Sequence, residues 1–368
     1  MSLIDEVNEK RKEIRTDGYA MSISEWASLY ESEEVDIHPE FQRFYRWGDT
    51  QKTNLIESIL LGIPIPPVFV SQRDDGIWDV VDGLQRLSTL YQFMGILKDE
   101  HGNNIDPLVL SGTKYLPSLE GKKWNSPEDE DNSLSQELRL IVKRSKISVS
   151  IILKESDETA KYDLFQRLNT GGSNLSPQEV RNCILVMINK EFYNWLQGIS
   201  SHESFQSCIS LADRPLSEAY DIELALRFLI FSLVDIDELN NIGDVGVFVT
   251  DAMARISQDN DFDKALWESL FKSTFDLLQN QINDKSFKRY SVEKSKFTGG
   301  FLLSQFEVVA YGIAYNLHNK IDVDNIESKT LGLWSDDRYT NWSGSGITAT
   351  RRLPKLIPLG REVFSNGN

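Results

Sequence analysis

Residues 77–97 read I-W-D-V-V-D-G-L-Q-R-L-S-T-L-Y-Q-F-M-G-I-L, a stretch whose hydrophobic period changes in the middle. Before Asp82-Gly83, the residues Trp78, Val80 and Val81 are strand formers. After it, Leu84, Leu87, Leu90, Tyr91 and Met94 recur at helical spacing. The stretch therefore predicts a strand, a sharp turn and a buried helix. Gly83 permits the turn because it has no Cβ to obstruct an unusual backbone angle or a close ligand. A helix N-terminus offers unpaired N–H groups and partial positive charge, which suit a phosphate. Arg86, in the first turn, adds a forked cation able to hold phosphate oxygens at two points. Asp82, at the strand end, is placed to hold a magnesium ion or to orient a water. The same residues also fit a purely structural arrangement, with Asp82 capping the helix and Arg86 paired to it.

Upstream, Asp74-Asp75-Gly76 is a hairpin signal, so residues 68–71 and 77–81 are expected to pair antiparallel. Residues 53–61 form a helix with Leu55, Ile56, Ile59 and Leu60 inward, closed by Gly62 and Pro64. Pro66 and Pro67 lead on into the strand. Residues 41–47, F-Q-R-F-Y-R-W, set four aromatics among two arginines and a glutamine. Two readings stand. Either the aromatics plug the core while Arg43 and Arg46 face solvent, or Gln42 and Arg43 touch a nucleotide or modified base with Phe41, Tyr45 or Trp47 as its wall. Residues 22–32 are a helix capped by Ser22 or Ser24, residues 35–37 a short strand, and residues 1–20 a helix or ordered arm.

Downstream, regular pattern fades over residues 98–135, and the acids at 128–131 read as a solvated loop. Residues 147–153 alternate like a strand. Residues 160–168 are a helix ending at N-T-G-G-S-N, and Ser176-Pro177-Gln178-Glu179 opens the next with a capping box. The loop between is either a plain connection or the rim of a pocket. In the second case Asn169 and the Gly171-Gly172 amides donate to phosphate.

Taken in order, 41–47, 55–70, 82–86 and 165–182 resemble the DUF262 family, the N-terminal module of GmrSD-type, modification-dependent restriction and phage-defence proteins. That family is similar to the ParB/sulfiredoxin superfamily of nucleotide-binding folds. Its D-G-Q-Q-R motif stands here as D-G-L-Q-R, with Leu84 at the first glutamine. The resemblance implies a nucleoside triphosphate, GTP or ATP, bound with Mg²⁺. Arg86 and Arg43 would hold the phosphates, Asp82 the metal or a water, and Gln85 and Gln42 would orient phosphate, water or base. Ser88 and Thr89 would be auxiliary donors. Leu84 leaves the hydrolytic step open, so a Mg²⁺-dependent NTPase and a module without turnover both stand.

The 368 residues suffice for two domains, expected as α+β: a small mixed sheet with helices over 1–158, then an all-α domain over 159–330. A Gly/Ser-rich basic tail follows over 331–368. Helices are expected over 180–197, 216–234, 245–258, 265–282 and 302–318, and a basic loop over 288–296. Two cysteines exclude a disulfide framework, and no apolar run is long enough for a membrane span, so a cytoplasmic protein is expected. A net charge of −17 opposes sequence-independent DNA binding and leaves only a local basic groove for any DNA contact. No G-x-x-x-x-G-K-[ST] loop is present, and the four histidines form no metal-ligand or nuclease spacing. The expectation is a stand-alone regulator or sensor in phage defence, acting through a separately encoded effector such as a nuclease, with homo-oligomerisation open. The alternatives are a non-catalytic reader of modified DNA or of a partner protein, or a ParB-like nuclease.

Overall fold

The computed structural model describes residues 2–10, 15–37, 47–99, 101–156, 177–344 and 346–365. The chain divides into two compact units, 1–175 and 176–368.

The first unit begins with helix α1 (Leu3–Lys10), then β1 (Thr16–Ser22), α2 (Ile23–Glu31) and β2 (Val35–Asp36). Next come α3 (Asp49–Leu60), β3 (Val68–Gln72), β4 (Trp78–Asp82) and α4 (Leu84–Met94). Helix α5 (Gln136–Arg144) and strand β5 (Lys146–Ile152) follow. The sheet runs β1-β5-β3-β4-β2. The β1–β5 and β3–β4 pairs are antiparallel, while β3–β5 and β2–β4 are parallel. The mixed sheet and the pairing of β3 with β4 are as the sequence predicts.

Each helix explains its own ends. Ser22 caps α2, its hydroxyl accepting from the Glu25 N–H at 3.2 Å. The Gln51 side chain reaches back to the Gly48 N–H at 3.2 Å and closes the start of α3. Gly62 follows α3 with φ +70, a conformation that favours glycine. One core joins Val68, Val70, Val80, Val149 and Ile151 from the sheet to Trp26, Ile56, Leu87, Leu90 and Tyr91 from the helices. Tyr91 buries its ring against Tyr30 at 4.3 Å and donates its hydroxyl to the Trp26 carbonyl at 3.1 Å.

The second unit is mainly helical: α6 (Pro177–Ser200), α7 (Tyr220–Phe231), α8 (Val245–Gln258), α9 (Lys264–Gln281), α10 (Leu303–His318) and α11 (Ala349–Val363). Shorter helices lie between these. The five helices expected over 180–318 are all present, with shifted ends. Two features differ from expectation. Residues 288–301 form an antiparallel hairpin, β6 (Lys288–Ser291) and β7 (Lys296–Phe301), where a basic loop is predicted, so the unit is not all-α. Aromatic pairing across the hairpin, Tyr290 on Phe297 at 5.2 Å, accounts for it. The second is α11, which replaces the end of the expected tail. It packs on α10 so closely that Gly312 and Gly360 meet backbone to backbone.

Candidate functional site

The hairpin that delivers the site is set by its turn. Gly76 has φ +89, the Asp75 carboxylate accepts from the Ile77 N–H at 3.0 Å, and the Arg73 N–H donates to the Ile77 carbonyl at 2.9 Å. Arg73 then bonds Asp79 through Nε at 2.9 Å and Asp36 through Nη2 at 2.7 Å, tying β2, β3 and β4 together. Burial works against the Arg73 charge, but the bonds to Asp79 and Asp36 outweigh it and raise its pKa. β4 is thus fixed before it reaches Asp82.

Gly83 follows with φ 104 and ψ 6, and the helix starts at once. A Cβ there would lie 2.8 Å from Val68 Cγ2, so the position is closed to side chains by packing as well as by torsion. Leu87 N–H bonds the Gly83 carbonyl at 3.0 Å, the first rung of α4.

Arg86 is the hub. Its Nη2 donates to Asp82 Oδ2 at 2.8 Å, and its Nη1 donates to the Pro67 carbonyl at 3.0 Å and to the Pro66 carbonyl. The side chain is about one-tenth exposed and that of Asp82 one-quarter exposed. Burial lowers the Arg86 pKa, and the Asp82 charge partly offsets this. Both terminal nitrogens of the guanidinium are therefore engaged inside the protein. Arg86 fixes the Asp82 carboxylate and the turn before β3. Asp82 does not cap α4, since its oxygen is turned to the guanidinium instead.

Gln85 Oε1 accepts the Trp47 N–H at 3.4 Å, which brings Trp47 to the first turn of α4. Trp47 is half-buried against the same core. Ser88 and Thr89 are both buried, and the Thr89 hydroxyl donates to the Gln85 carbonyl at 2.7 Å. Leu84 is half-buried and packs on the core. Asp82, Gly83, Gln85, Arg86 and Trp47 are thus brought together. Gln42, Arg43, Asn169, Gly171 and Gly172 lie outside the described residues. Sequence reasoning missed Pro66 and Pro67 as the acceptors of Arg86. A buried arginine in a first helical turn needs more acceptors than one carboxylate supplies, and that requirement was the available signal.

Among the described residues no group of three or more His, Cys, Asp or Glu side chains is placed to hold a metal. No helix among them is long and apolar enough to cross a membrane. Residues 24–186 match the family model described as GmrSD restriction endonuclease, N-terminal domain. No curated protein and no solved structure matches the chain significantly.

Proposed function

We propose, from the match of residues 24–186 to the GmrSD N-terminal domain of restriction systems, that this chain binds a nucleoside triphosphate, GTP or ATP, with Mg²⁺. In this reading it serves phage defence as a sensor whose output is a separate effector protein. One observation carries the reading. A carboxylate, Asp82, stands at a strand end beside a left-handed glycine that opens a helix, and a buried guanidinium holds it from behind.

The chemistry suits phosphate. A helix start favours anions, and the Gly83 turn lets a phosphate approach backbone closely. The Arg86 charge acts across the site at short range while its bonds keep Asp82 in one orientation. Mg²⁺ in triphosphate sites takes one or two carboxylates and fills its remaining positions with phosphate oxygens and water. Asp82, a quarter exposed and bonded to Arg86 through Oδ2, would supply the one carboxylate this reading needs. When bound, the ion supplies neutralisation of phosphate charge. In this reading the Trp47 ring would be an apolar wall for a base, and Gln42, Arg43, Asn169 and the amides of Gly171 and Gly172, outside the described residues, belong to the same proposed set.

A second reading has its own observation. Leu84 replaces the first glutamine of the family motif and packs on the core, where it orients no water. This favours a module that binds without turnover, including one that reads modified DNA or a partner protein through the same pocket.

Isothermal titration calorimetry with GTP and ATP in Mg²⁺ decides the matter, followed by phosphate release. The expected result is saturable binding that Asp82→Asn weakens at least tenfold, about 1.4 kcal/mol. Binding without phosphate release selects the second reading in its nucleotide form. No nucleotide binding by folded wild-type protein overturns the proposal.

A further inference from the structure

We propose that the depression beside α5 receives helix α1 from a second copy of this chain, reciprocally, so that two copies pair by exchanging these helices.

Among the described residues of the first unit, one side of helix α5 is left uncovered. Leu140 and Ile141 are 37% and 40% exposed, although Val142 beside them is fully buried. A shallow, open depression of about 520 Å³ lies on this side, and its described lining is Gln136, Glu137, Leu140, Ile141 and Arg144. These positions recur at helical spacing, as a partner helix requires. Its flanks are basic, with Arg139, Lys143 and Arg144 against the single acid Glu137, in a chain whose net charge is −17. An occupant should therefore be a short, acidic, amphipathic helix.

The chain carries such a helix. In α1, Leu3 is 76% exposed and Ile4 62% exposed, beside Asp5 and Glu6 in the first turn. The helix is already formed, with the Asp5 carboxylate accepting from the Ser2 N–H at 3.0 Å and from the Ser2 hydroxyl at 2.7 Å. Docking would supply the packing that an exposed helix of 8 residues lacks. Lengths agree as well: the 8 residues of α1 and the 9 of α5 span about 12 and 14 Å at 1.5 Å per residue. Nucleic acid fits less well, because phosphates gain nothing from Leu140 and Ile141 at the centre of the depression.

Sedimentation velocity of the full chain, from about 1 to about 100 μM, tests this. The weight-average mass should rise from 42.1 kDa towards twice that value. Leu3→Asp and Leu140→Asp change exposed side chains, so each should keep the circular dichroism spectrum yet weaken self-association at least tenfold. Glu6→Arg and Arg144→Glu should each weaken it alone and restore it in the double variant. A monomer across the whole range overturns the proposal. So does a dimer untouched by both aspartate variants, which would place the interface elsewhere.

Discussion

Replacing Gly83 with alanine asks two things of the chain at once: a φ of 104 that L-residues avoid, and room for a methyl 2.8 Å from Val68 Cγ2. The expected destabilisation is about 2–4 kcal/mol, read as a lower urea midpoint with an unchanged slope. Nucleotide binding should fall with it. This residue was legible in the sequence, because Asp-Gly between a strand pattern and a helix pattern admits few conformations. Its neighbour Arg86 was only half legible. The spacing to Asp82 predicts the pair, but Pro66 and Pro67 accept through backbone carbonyls, which every residue possesses and no sequence pattern marks. At the same scale Cys208 is 1% exposed, and burial pushes its thiol up to about 12. At pH 8 only about one thiol in ten thousand is then the reactive thiolate. Iodoacetamide should leave Cys208 unmodified in the native protein and label it once the chain is unfolded in urea, as peptide mass spectrometry would report.

Among the elements, those with a regular apolar period were predicted and those held by backbone or by tertiary packing were not. Strand β1, T-D-G-Y-A-M-S, buries only Met21 fully, and it is a strand because its backbone pairs with β5 at the sheet edge. Helix α11 contains Pro354 and Pro358, which argue against a helix from propensity alone. Burial of Leu353, Leu356, Ile357 and Phe364 outweighs that cost. Arg352 Nε also bonds the fully buried Glu307 of α10 at 2.6 Å, which fixes the register of the two helices. The crossing of α10 and α11 depends on two missing side chains. A methyl at Gly312 would overlap the Gly360 carbonyl, which is backbone and cannot rotate away. Gly312→Ala should therefore cost about 3 kcal/mol or more, and Gly360→Ala a similar amount. Thermal melts should show a transition at least several degrees lower for each. The sequence offered no sign of this contact, because the two glycines sit in segments far apart along the chain.

For the molecule as a whole, the net charge of −17 is a uniform repulsion that the compact state must hold together. Sodium chloride screens it over about 10 Å at 0.1 M. The melting temperature should rise between low salt and about 0.5 M salt, the reverse of what a protein held by surface ion pairs would show. A flat or falling profile by differential scanning fluorimetry would contradict this. The same charge predicts no retention on unmodified duplex DNA at physiological salt, so any DNA retention seen must come from a local, specific site.

Helix α6 departs from helical geometry at Asn189, where φ is −155 and ψ 92. The Asn189 side chain holds the break from both sides, donating to the Ser257 carbonyl at 2.8 Å and accepting from the Phe192 N–H at 2.9 Å. The family match stops at residue 186, just short of this joint, whereas the compact units divide between residues 175 and 176. The matched stretch therefore runs past the end of the first unit into the first helix of the second. It sinks Val180, Ile184 and Leu185 into the second unit and offers Arg181 to Glu223 at 3.1 Å there. The family match and the compact units thus end at different residues. A graft cut where the match ends would leave the donor with a bare, greasy splinter of helix, and its new host would have to furnish the cradle.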